Sequence, residues 1–180
     1  MPRHIALLRA INVGGRIVKM EVLRQIFESL QFTNVETFIA SGNVIFDSPI
    51  TETATLEKLI EETLLQSLGY EVKTMIRSPQ EVETVANYQP FSKAEIETEG
   101  HSLYVAFLTD KPEAENQEKL LAYRSEIDDF HIHGRELYWL CRVKSSESKF
   151  TNVRLEKTLK MAATSRNITT VKKLAAKYSN

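Results

Sequence analysis

A chain of 180 residues that is 42% hydrophobic and 26% charged is globular rather than disordered, and it is long enough for one large domain or two small ones. Its single cysteine, Cys141, excludes an internal disulfide and fits a reducing cytoplasm; no apolar run approaches the ~20 residues of a membrane span. The net charge of −1 is unevenly spread: residues 1–134 hold 12 Lys and Arg against 21 Asp and Glu (−9), and residues 135–180 hold 11 against 3 (+8).

The chain opens on Ile5-Ala6-Leu7-Leu8-Arg9-Ala10-Ile11, an apolar run of the kind that makes a strand buried on both faces. Arg9 lies inside it and no small-residue cleavage site follows, so it is not read as a signal peptide. Asn12-Val13-Gly14-Gly15 then turns the chain. Met20, Leu23, Ile26, Phe27 and Leu30 recur at helical spacing and predict a helix over 19–30. Residues 35–39 and 43–46 are β-rich and flank Ser41-Gly42, which predicts a hairpin. Residues 51–68 read as a second helix that Gly69 ends, and 70–77 as a fourth strand. Ser78 and Pro79 start a short helix, as a cap and a first helical position. Residues 91–101, charged and irregular, are the expected linker.

The second half repeats the order. Residues 103–108 read as a strand, 112–123 as a helix, and 126–133 with 136–143 as a hairpin about Gly134-Arg135. A helix over 152–160, a weak strand over 161–165 and a last helix over 167–178 follow. The expected fold class is therefore α+β. Two tandem ferredoxin-like (βαββαβ) subdomains, 1–90 and 102–180, each carry an antiparallel sheet, and a C-terminal helix is added to the second. Right-handed crossovers bring the 12–16 loop to the Ser41-Gly42-Asn43 turn, and residues 146–151 to residues 164–167.

Three stretches, Ile5 to Gly15, Met20-Glu21-Val22-Leu23-Arg24 and Ser41-Gly42-Asn43-Val44-Ile45-Phe46, resemble a bacterial family, the domain of unknown function numbered 1697. Ser148-Lys149-Phe150-Thr151 and Thr164 to Leu174 resemble its C-terminal signature. Ala10 stands where that family usually carries Gly. The resemblance implies a bacterial α/β protein and no particular reaction.

Two polar clusters are candidate anion sites. The first gathers Arg9, Asn12, Gly14, Gly15, Arg16, Lys19, Ser41 and Asn43. Glycines let backbone N–H groups turn toward a phosphate or carboxylate, and the following helix offers its positive end. The same residues also suit a strained turn whose backbone Asn and Ser side chains satisfy. The second cluster gathers Ser148, Lys149, Thr151, Arg166, Asn167, Thr170 and Lys173, with Asn167 as a helix cap. A capped, salt-bridged helix end is the bland alternative. His131 and His133 share a strand face, yet no third ligand completes a metal site. Tyr104, Tyr138 and Trp139 read as packing residues, and neither a nucleophile with its base nor a G-x-G-x-x-G or P-loop motif occurs, so no cofactor is expected. The expected partners are a nucleic acid or other polyanion, or else a phosphorylated or carboxylated small molecule. A homodimer through an unpaired edge strand is the third reading, and no membrane is expected.

Overall fold

The computed structural model describes residues 1–11, 15, 17–39 and 42–179. The chain forms two compact units, with the border between Val82 and Glu83. Each unit is built on a four-stranded antiparallel sheet in the ferredoxin-like order expected from the sequence.

In the first unit the order is β1 (Arg3–Leu8), α1 (Met20–Glu28), β2 (Thr33–Thr37), β3 (Asn43–Asp47), α2 (Thr53–Leu68) and β4 (Thr74–Arg77), and the sheet runs β2-β3-β1-β4. Ile5 to Leu8 are all fully buried, as the unbroken apolar run requires. Ala6, Leu8, Val44, Phe46 and Ile76 form one sheet face and pack on Leu23, Ile26 and Phe27 of α1 and Leu56, Ile60 and Leu64 of α2. Phe32 stacks on Phe46 at 4.4 Å within that core. Gly69 ends α2 at φ +81°, where its N–H donates to the Leu65 carbonyl. The fourth strand is shorter than expected: Val72 is drawn into the core while its backbone stays outside the ladder.

Ala10 adopts φ +53°, the left-handed region that glycine enters at least cost. This is a physical reason for the glycine usual there. Residues 79–87 form α3 (Pro79–Asn87), and the sequence Ser78-Pro79-Gln80-Glu81 closes a reciprocal cap. The Glu81 N–H donates to the Ser78 hydroxyl at 3.1 Å and the Ser78 N–H to the Glu81 carboxylate at 2.7 Å.

The second unit contains α4 (Lys93–Glu97), β5 (Ser102–Leu108), α5 (Ala114–Leu121), β6 (Asp128–His133), β7 (Glu136–Cys141), α6 (Asn152–Leu159), β8 (Ala163–Asn167) and α7 (Ile168–Tyr178). Its sheet order is β6-β7-β5-β8. Ala106, Leu108, Phe130 and Leu137 pack on Leu120 of α5 and on Leu155 and Leu159 of α6, with Phe150 closing the core. Helix α7 rests on β5 and β8. The segment 91–101 carries α4, capped by the Ser92 hydroxyl. Tyr104 and Trp139 stack across β5 and β7 at 5.1 Å, as packing residues do.

Both units treat one sheet edge alike. Glu61 and Glu57 of α2 accept the Thr74 and Ile76 N–H groups of edge strand β4, and Glu156 of α6 accepts the Ala163 N–H of edge strand β8. A carboxylate that takes up a strand's outward N–H blocks pairing with another chain there. Among the described residues, no helix is long and apolar enough to cross a membrane.

Candidate functional site

The antiparallel register of the second sheet decides which polar groups meet. Tyr104 of β5 pairs with Asn167 of β8, so the start of β5 lies beside the end of β8. Helix α7 leaves from that corner. Asn167 caps it by accepting the Thr169 N–H at 2.9 Å, the role expected of it. A groove of about 450 Å³ follows the first turns of α7. Its polar lining is His101, Ser102, Asn167, Thr169, Lys172 and Lys173. Ile96, Leu103, Ile168 and Ala176 form the apolar part. Ile168, Lys172 and Ala176 recur every four residues, as do Thr169 and Lys173, so a single stripe of α7 makes one wall.

The opposite wall is α4, which is fixed from two sides. The Arg142 guanidinium at the start of the β7–α6 connection donates twice to the Glu95 carboxylate, at 2.8 and 3.2 Å. That ion pair holds Arg142 above its ordinary pKa. His101 contacts the Glu95 carbonyl through Nδ1 at 2.7 Å, and because a carbonyl only accepts, Nδ1 carries the proton. Lys172 and Lys173 are exposed, and no carboxylate side chain lines the groove among the described residues. Such a surface attracts negative charge and offers flexible ammonium donors to it.

The second predicted cluster is therefore only partly assembled. Asn167 and Lys173 line the groove. Ser148 donates instead to the buried Asp128 carboxylate at 2.8 Å, and its oxygen accepts the Phe150 N–H. Thr151 caps α6 by accepting the Arg154 N–H. Lys149 is exposed on its loop, and Thr170 is half-buried on α7, away from the lining. Arg166 is 6% exposed and folds back along its own strand, donating to the Thr164 hydroxyl at 2.7 Å and the Ser165 carbonyl at 3.0 Å. Burial pulls this arginine down to about 10. Beside the predicted meeting of residues 146–151 with 164–167, the contact is made by the next residue, Asn152: it accepts from the Ser165 hydroxyl at 3.4 Å and donates to the Ala163 carbonyl at 3.2 Å.

Of the first cluster, Asn12, Gly14, Arg16 and Ser41 lie outside the described residues. Asn43 is fully buried and holds the hairpin, its side chain donating to the Phe38 carbonyl at 2.9 Å. The Arg9 N–H donates to the Lys73 carbonyl, Gly15 takes φ +83°, and Lys19 is the exposed residue before α1. His131 meets the Tyr88 hydroxyl at 2.7 Å through Nε2, and His133 stacks on the Tyr88 ring at 4.0 Å. Among the described residues, no three metal-ligating side chains converge. Cys141 pairs with Asp128, on the sheet face opposite these histidines.

A family model described as "Protein of unknown function (DUF1697)" matches residues 1–138. The chain belongs to the DUF1697 family. The match covers the three N-terminal signature stretches and ends before Ser148, so the α4 and β5 side of the groove in this DUF1697 protein lies within it and the α7 side beyond it. The fold extends over the whole length: the chain is similar to the conserved bacterial protein SP0830 from Streptococcus pneumoniae, with a TM-score of 0.77 at 23% identity, covering 100% of this chain and 99% of that one. None of the curated proteins matches.

Proposed function

We propose that this DUF1697 protein is an anion-binding module, and that the groove on α7 receives a small phosphorylated or carboxylated molecule. What carries the reading is one observation: Lys172 and Lys173 stand over a concavity of about 450 Å³ that no acidic side chain lines among the described residues. That size suits a metabolite. The +8 tail supports the broader class of anions, nucleic acid among them. The groove favours the small ligand, because among the described residues its lining holds a single ring, the His101 imidazole, and no series of aromatic faces along which successive bases could stack.

Calorimetry with pyrophosphate at low salt tests this. Saturable binding is expected, weakened about tenfold or more in the double variant Lys172→Ala/Lys173→Ala, since hydrogen bonds to charged groups contribute about 1.5–3 kcal/mol. Unchanged affinity in that variant removes the groove from the account. Arg9→Ala serves the first cluster: loss of binding there, with circular dichroism unchanged, transfers the site to the N-terminal unit. A labelled single-stranded oligonucleotide that binds more tightly than pyrophosphate, with a steep salt dependence, favours the polyanion instead.

A further inference from the structure

The groove is two-sided in chemistry as well as shape. Lys172 and Lys173 supply positive charge, whereas Leu103 and Ile168, 3% and 8% exposed, form an apolar floor and Ile96 of α4 an apolar wall. Bare phosphate would use the lysines alone and leave the accessible apolar surface of the groove, chiefly Ile96 and Ala176, in water. A strand of nucleic acid would present charge continuously and, among the described residues, find only the His101 imidazole to stack on. From this juxtaposition we infer that the ligand is a free organic anion whose charged head meets Lys172 and Lys173 while a short apolar chain lies along Ile96, Leu103 and Ile168. The inference rests on the anion-binding reading above and narrows it to amphiphilic ligands.

The position of α4 matters to it. Ile96 sits one residue after Glu95, which Arg142 holds by its double hydrogen bond, so the apolar wall is fixed before a ligand arrives. A preformed wall spares the ligand the cost of ordering it.

The test compares methyl phosphate with hexyl phosphate, which carry the same head, on the full chain by calorimetry. Each methylene that leaves water strengthens binding roughly fourfold. Burial of about half of the five added methylenes therefore gives hexyl phosphate an advantage of roughly 30-fold. Ile96→Ser should cut that advantage to a few-fold and leave methyl phosphate unchanged. Ala176→Glu, on the exposed side of α7, should weaken both ligands and provides a second variant with little effect on folding. Equal affinities for the two phosphates overturn the inference and leave the anion reading intact. Binding of neither overturns both. An advantage that survives Ile96→Ser places the chain elsewhere and overturns the inference. Cosedimentation with phosphatidylglycerol vesicles is expected to fail, and recovery of the protein in the vesicle pellet overturns the free-ligand assignment in favour of a lipid surface.

Discussion

Gly42 and Gly69 adopt the same left-handed backbone, at φ +83° and +81°, in different surroundings. A Cβ on Gly69 would meet nothing within 4 Å. A Cβ on Gly42 would lie 2.7 Å from Ile11 Cγ2, 3.2 Å from Leu8 Cβ and 3.3 Å from the Leu8 carbonyl oxygen. The Leu8 N–H donates to the Gly42 carbonyl at 2.9 Å, so the turn is tied to the end of β1 and cannot swing away freely. Both alanine variants bear the conformational penalty, about 1 kcal/mol. Gly42→Ala also overpacks a site where Ile11 and Leu8 are at most 1% exposed, which adds about 1–3 kcal/mol. The expectation is a loss of about 1 kcal/mol for Gly69→Ala and about 2–4 kcal/mol for Gly42→Ala. Urea denaturation followed by far-ultraviolet circular dichroism measures both, with hydrogen exchange of the β1 and β3 amides as a local readout. Losses equal to within about 0.5 kcal/mol would refute the close approach of the turn to β1.

Lys160 ends α6 at φ +58°, where the first unit uses Gly69 after α2. Lys160→Gly should therefore stabilise the protein by about 0.5–1 kcal/mol, seen as a higher urea midpoint, because the relieved strain exceeds the added freedom of the unfolded chain. Asp128 is 7% exposed and accepts from Trp139 Nε1 at 2.8 Å and from the Ser148 hydroxyl. Asp128→Ala strands both donors and should cost about 2–4 kcal/mol, with a shifted emission from the single tryptophan as its spectroscopic mark. Burial holds His4 below its ordinary 6.5, and burial with the neighbouring His133 and Arg124 does the same to His131. As pH falls below about 6.5 the unfolded chain takes up these protons before the folded one, so stability is complete above that value and declines below it. His4→Phe should flatten the decline between pH 6.5 and 5 in thermal melts, and an unchanged slope would exclude His4 as a contributor.

Most of the framework was legible because local chemistry and tertiary structure agree. The unbroken run at residues 5–8 could only be a central strand, Gly69 had to end a helix, and Ser78-Pro79-Gln80-Glu81 carries both halves of a cap. Helix α4 was not legible. Its five residues are too few to show a period, and Arg142, 47 positions after Glu95, is among the groups that hold it. The candidate site was legible only to the level of topology. Strand directions predict which end of a sheet a loop reaches, yet not that Ser148 is committed to a buried carboxylate 20 residues away, or that Arg166 turns inward. His101 and Lys172 were missed, although they follow from placing the start of β5 against the end of β8 and counting helical turns along α7.

The bonds that reach the second sheet from upstream of β5 bear on any attempt to isolate that half of the protein. Tyr88 is bonded to His131, the Val85 carbonyl to the Tyr138 hydroxyl, and Glu95 to Arg142. A polypeptide begun at Ser102, where the charged segment gives way to strand, would leave all three acceptors and donors on the sheet facing solvent and would take away one bank of the groove. A gene fragment meant to carry the proposed groove by itself has to start no later than Glu83, where the second unit begins.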